Sequence, residues 1–143
     1  MRTIPPEIAI TISGYMYNPQ PQILCDDIKS YHRMVKLSRD IYRDRYPPGN
    51  VYNGCDNDWL INDIFRFLNR DVPTMSGYQD YFKSVIRRQY RYLNKKDSEI
   101  VGVLSDLDNY YHNNHRLVSL LIGLLTPMER SQLISFFHNY QIP

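Results

Sequence analysis

Apolar residues recur every three or four positions along most of the chain, the period of an α-helix with one buried face. From Gln22 to Tyr46 they fall at Leu24, Ile28, Tyr31, Val35 and Tyr42, flanked by Met34 and Ile41, which predicts a helix of about six turns. Pro47-Pro48-Gly49-Asn50 closes it, because proline lacks an amide donor and disfavours a helical residue before it. Asp56 is the expected N-cap of the next helix, built on Trp59, Leu60, Ile64, Phe65, Phe67 and Leu68 and broken at Val72-Pro73. Ser76 is the expected cap of a fourth helix carrying Tyr78, Phe82, Val85, Ile86, Gln89, Tyr90 and Leu93. Asp97-Ser98 opens another, with Ile100, Leu104, Leu107 and Tyr111 in register.

Residues 98–125 read as one helix or two. Asn113-Asn114 favours two, since asparagine is a poor interior helix residue. Thr126-Pro127-Met128-Glu129 then gives the sharpest local signal. A hydroxyl at N-cap, proline at N1 and glutamate at N3 make a capping box, and the helix it opens runs through Leu133, Ile134, Phe137 and Tyr140.

The opening stretch TIPPEIAITISGY has the β-branched residues of a strand, yet nothing else in the chain supplies a second strand to pair with it. Pro5-Pro6-Glu7 is instead a natural helix start, with fixed φ, no wasted amide and a carboxylate near the positive helix end. Ile8, Ile12 and Tyr15 then share one face. Burying one isoleucine is worth about 2 kcal/mol, which outweighs the few tenths that each β-branched residue costs a helix. The fold expected is all-α: six or seven helices in a single domain over residues 1–143, with a helical pair at 1–46 and a bundle of the last four at 56–140.

Taken in order, Ile4-Pro5-Pro6-Glu7-Ile8, Ile12, Tyr15-Met16, Leu24, Asp27-Ile28 and Tyr31 resemble an F-box. The likeness is to the short F-box-like openings in proteins of large DNA viruses of protists. There a Pro-rich spacer, here Asn18-Pro19-Gln20-Pro21, precedes an Asp-Ile-x-x-Tyr helix, here Asp27 to Tyr31. It covers under a third of the chain. The Val-Cys/Ser-Lys-x-Trp segment of the cellular family is missing, with Val35-Lys36-Leu37-Ser38 near its place. The resemblance implies an adaptor that docks on a protein partner through its first helices, with Ile8, Ile12 and Tyr15 as contact residues.

Composition narrows the remaining possibilities. With 143 residues, 43% hydrophobic and 22% charged, the chain is globular, and a net charge of +2 leaves anion binding to a local patch. Cys25 and Cys55 are too few for a disulfide framework and read as buried thiols in a reducing compartment. No basic region leads into an apolar run at the amino terminus, and Leu117 to Leu125 is too short to span a bilayer. The expected location is soluble and intracellular, in host cytoplasm or virion if the protein is viral. The 13 tyrosines accompany abundant Asn and Ile, as AT-rich coding produces, and suit half-buried surfaces.

Among candidate chemistries, Lys83, Arg87, Arg91 and Lys95 recur every four residues with Arg88 beside them. On a helix they form a stripe for phosphates or an acidic partner, or else a solvated face opposite the core. His112 and His115, near Asp106 and Asp108, lack a third ligand at fixed spacing, so neither metal nor cofactor is expected. No phosphate loop, nucleophile elbow or zinc-protease helix is present, which excludes the enzymes those motifs mark. Phe136 and Tyr140, near the carboxy terminus, are candidate partner or oligomer contacts beside the core residues of the last helical hairpin. The function expected is therefore non-enzymatic protein–protein interaction, as an F-box-like adaptor or regulatory module. The alternatives are a structural component of a viral particle, as a homo- or hetero-oligomer, and, as the lesser one, a nucleic-acid binder using the Lys83–Lys95 stripe.

Overall fold

Helix starts and stops explain most of the architecture. The computed structural model describes residues 5–17, 21–45, 56–109 and 115–139, in which seven α-helices and two 3-10 turns are found and no strand. The prolines do open α1 (Pro6–Tyr17): the Pro5 carbonyl accepts hydrogen bonds from the amides of Ile8 and Ala9 at 3.1 Å each. Helix α2 (Gln22–Arg45) follows Pro21 in the same way, its carbonyl accepting from Leu24 and Cys25 at 2.9 and 3.1 Å. The proline pair expected to end α2 lies outside the described residues.

Helix α3 (Asp56–Leu68) stops well before Pro73. Its amide-to-carbonyl bonds from Arg70 to Phe67 (3.2 Å) and Asp71 to Arg66 (2.9 Å) form a Schellman close, with Arg70 at φ 56° and Asp71 at φ 62°. Asn69, fully buried at that corner, organises the loop beyond. Its amide nitrogen donates to the carbonyls of Val72 (2.6 Å) and Gly77 (3.0 Å), and its oxygen accepts from the Gln79 amide at 2.7 Å. A 3-10 turn at Thr74–Ser76 fills this loop, so Ser76 is not an N-cap as expected; Gln79 stands before α4 (Asp80–Ile86).

The fourth helix is also shorter than its apolar spacing predicts. After Ile86 the chain turns, and Tyr90–Tyr92 form a separate 3-10 turn before α5 (Asp97–Asn109). Charges meet across this turn. Folding back brings Asp97 onto both Lys83 and Arg87, and sets the Arg87 guanidinium on the Lys95 carbonyl at 3.4 Å. Helix α5 is described as far as Asn109 and α6 (His115–Leu124) from His115; the Asn113-Asn114 junction expected to part them lies outside the described residues. The capping box forms as expected at the start of α7 (Pro127–Asn139). Glu129 accepts from the Thr126 amide at 2.8 Å, and the Glu129 amide donates to the Thr126 hydroxyl at 3.3 Å.

The helices that pack on one another as the bundle are α2, α3, α6 and α7, with α4 and α5 attached to the α3 side. This corrects the expected bundle of the last four helices. Helix α2 belongs to the core through Met34, Ser38 and Tyr42, and α3 contributes Leu60, Ile61, Ile64, Phe65 and Leu68. The α6–α7 hairpin is the central layer that its apolar sequence predicts, burying Val118, Leu121, Ile122, Leu133 and Phe137. Tyr42 meets Phe137 edge-on at 5.4 Å, and its hydroxyl donates to the buried Asp63 carboxylate. Burial holds that carboxyl above the usual range, against the opposing effect of the Tyr42 bond and of Arg66 and Arg45.

Candidate partner-binding surface

Twenty-four residues make α2 about 36 Å long, whereas α7, with 13, is about 20 Å and α6, with 10, about 15 Å. Two bonds set the register against α7: Arg130 reaches Asp27, and Arg45 reaches the Phe137 carbonyl at 3.1 Å. The second turn of α2 is matched with the first turn of α7, and last turn with last. The residues of α2 before Asp27 therefore extend past the start of α7.

Those turns are apolar. Ile23 is 85% exposed, and Leu24 and Ile28 are also exposed. Beneath them a groove of about 470 Å³ runs between α2 and the α6–α7 corner, walled by Ile23, Leu24, Leu124, Leu125 and Pro127. Its floor is fixed by Arg130. The nearly buried guanidinium donates to the Asp27 carboxylate at 2.7 Å, the Asp27 carbonyl at 3.1 Å and the Ile122 carbonyl at 3.2 Å. A charge-assisted clamp of this kind holds the groove in one shape before anything binds.

Helix α1 adds to the apolar surface. Its described side chains are all exposed, Ile8 at 51% and Ile10 at 72%, so α1 contributes none of them to the core. Of the expected contact residues on this helix, Ile8 is thus open to a partner; the side chains of Ile12 and Tyr15 lie outside the described residues. Sequence periodicity assigned Leu24 and Ile28 to the core stripe and missed Ile23 and Ile10. The available signal was the mismatch between the length of α2 and the shorter apolar runs that could cover it.

Phe136, the expected contact near the carboxy terminus, keeps part of its surface open beside a groove. It is half-buried, edge-on to Phe67 at 5.7 Å and to Phe137 at 6.3 Å, because α3 reaches under the end of α7. Tyr140 lies outside the described residues. The chain matches no protein-family model, no curated protein and no solved structure.

The cation stripe is dispersed by the break after Ile86. Lys83 sits on α4 and holds Asp80 at 2.6 Å and Asp97 at 3.4 Å; Arg87 also holds Asp97. Arg88 grips Glu129 with both terminal nitrogens, at 2.5 and 2.8 Å, and Lys95 holds Glu99 at 2.9 Å. Arg91 lies over the Tyr92 ring at 4.5 Å. Four of the five cations thus brace the fold, and a phosphate chain would have to displace Asp97, Glu99 and Glu129 to use them.

A second cleft, of about 350 Å³, gathers Asp63, Asp71 and Asp108 beside Trp59 and Arg66. Each carboxylate already has a structural donor. Tyr42 serves Asp63, Arg66 serves Asp71 at 3.4 Å, and Tyr78 serves Asp108 at 3.3 Å. Burial, with Asp108 beside it, pushes the Tyr78 hydroxyl up to about 12, leaving it a fixed donor and not a proton shuttle near neutrality. Among the described residues no three His, Cys, Asp or Glu side chains are grouped to hold a metal ion. His112 and the His115 side chain lie outside them. No described helix is long and apolar enough to cross a membrane.

Proposed function

We propose that the chain is a non-enzymatic protein-interaction module that docks a partner protein through α1 and the uncovered start of α2. The observation that carries this reading is the apolar overhang: Ile8, Ile10, Ile23, Leu24 and Ile28 all stand exposed on two consecutive helices. Exposed apolar side chains of this kind mark an interaction site, since leaving them in water forgoes about 25 cal/mol for each Å². The groove beside Ile23 and Leu24, with its floor held by Arg130, offers a partner side chain a preformed seat.

The F-box-like opening makes the ubiquitin-ligase adaptor the first partner to test. The two segments that carry that resemblance, Pro5–Ile8 and Leu24–Tyr31, supply Ile8, Leu24 and Ile28, three of the five exposed apolar residues proposed for this surface. Affinity purification should compare the parent chain with an Ile8→Ser/Ile23→Ser/Leu24→Ser variant as baits in the native host. Loss of the ubiquitin-ligase adaptor from the variant's eluate supports the adaptor reading. Recovery of coat proteins in its place would make the chain a particle component. Identical partners for both baits would sink the proposed surface.

A further inference from the structure

A different face of α2 carries a concentration of charge. At 100° per residue, Lys29, His32, Arg33, Lys36, Arg39 and Arg43 fall within an arc of about 120°, along a ridge about 21 Å long. From Lys29 to Arg39 the helix contains no acidic residue. Asp40, the carboxylate within that arc, is engaged with Arg43 at 3.4 Å. Among the described residues, Lys29, Arg33 and Lys36 are held by no carboxylate, in contrast to Lys83, Arg87, Arg88 and Lys95.

The ridge is flanked by two grooves. The one towards α6 measures about 510 Å³ and its walls include Tyr31, His32, Lys36, Arg39, Asp40 and Ser119, with the Arg39 guanidinium 3.3 Å from the Ser119 hydroxyl. The one towards α7 measures about 330 Å³ and includes Ser30, Arg33 and Ser131. We infer that this ridge is a binding site for a single-stranded nucleic acid, its phosphodiester chain lying along Lys29, Arg33, Lys36 and Arg39, with bases turned into the α2–α6 groove beside Tyr31 and His32. Cations tracking a backbone next to aromatic rings and hydroxyls form the arrangement that holds single strands without reading sequence. Guanidinium groups match phosphate oxygens in pairs. An acidic peptide would satisfy the cations but leave the ring-lined groove unused.

The test is fluorescence-anisotropy titration of the whole chain with labelled oligodeoxyuridylate and oligouridylate of equal length, at several salt concentrations. With four phosphates neutralised, log K should fall against log salt with a slope of about −3, since each contact contributes roughly 0.7 for a single strand. Arg33→Glu/Lys36→Glu should weaken binding about tenfold or more. Arg91→Glu/Lys96→Glu, the same charge change at the other basic segment, should stay within about twofold. Arg33→Gln/Lys36→Gln repeats the comparison should the reversed charges perturb folding, and should lower the slope by about 1.4. A preference between the two oligonucleotides assigns the strand as RNA or DNA. No binding by the parent chain, equal losses in both double variants, or equally tight binding of poly-glutamate would overturn the inference.

Discussion

Replacing Glu129 by Gln removes one charge at the corner where α4, α6 and α7 meet, and the structure allows its effect to be worked out. The Glu129 carboxylate accepts from both terminal nitrogens of Arg88, from the Tyr81 hydroxyl at 2.8 Å and from the Thr126 amide at 2.8 Å. The Arg88 hydrogen bonds are the largest cause lowering its pKa from 4.5 to about 2, with burial opposing them. That difference corresponds to about 3 kcal/mol favouring the ionised form in the fold, at 1.36 kcal/mol per pKa unit. Arg88 is 36% exposed, so solvent screening reduces the expected loss in Glu129→Gln to about 2 kcal/mol. Glutamine keeps one oxygen for the Thr126 amide, while its NH2 replaces the oxygen that accepts from Arg88 and Tyr81, so the loss reports the charge together with that acceptor.

The sign follows from the direction. A carboxylate with a depressed folded-state pKa stabilises the fold above its unfolded value of about 4.5, and the contribution disappears as pH falls towards about 2. Urea unfolding followed by Trp59 fluorescence should show a gap between parent and variant of about 2 kcal/mol near pH 7, shrinking by half or more by about pH 3. A gap that is absent at neutral pH, or that keeps its size in acid, would refute the assignment of Glu129 as the ionic hub.

Asn69→Ala should cost about 2–3 kcal/mol in the same assay, because two carbonyls and an amide in a buried corner lose their partner. Arg130→Met should cost about 2–3 kcal/mol, with loss of the bonds to Asp27 and Ile122, and should weaken any partner that uses the groove floor. Gly102→Ala should raise stability by about 0.8–1 kcal/mol, since no atom lies within 4 Å of the added methyl and Gly102 lies inside α5. A raised melting temperature checks it.

The helical class was legible wherever a residue's own chemistry set the backbone. Pro5-Pro6 opens α1, and Thr126 with Glu129 caps α7, because a missing amide or a side-chain acceptor acts within one turn. The Leu117–Leu125 run was legible as core for a similar reason: an apolar helix on nearly every side has nowhere else to go. The end of α4 was not legible, since no Gly or Pro marks Ile86 and the groups that meet across the turn, Asp97 with Lys83 and Arg87, are too far apart in the chain for a helical period to pair them. The inverted fate of Ile28 has the same origin. Periodicity gives a face, and only the lengths of the neighbouring helices decide whether that face is covered. Asn69, Asp63 and Arg130 carried no sequence signal, because their partners lie in loops and backbone carbonyls that a pattern of apolar positions does not locate.

The reading of α1 and the α2 overhang as a docking surface is tested most directly by isothermal titration of the purified chain with purified ubiquitin-ligase adaptor, beside the Ile8→Ser/Ile23→Ser/Leu24→Ser variant. These side chains are exposed, so the variant should melt within about 0.5 kcal/mol of the parent while its affinity falls tenfold or more. Saturable binding at about 10 μM or tighter, lost in the variant, is the expected result. A variant that binds as well as the parent, or a parent that gives no heat with the adaptor, would contradict it.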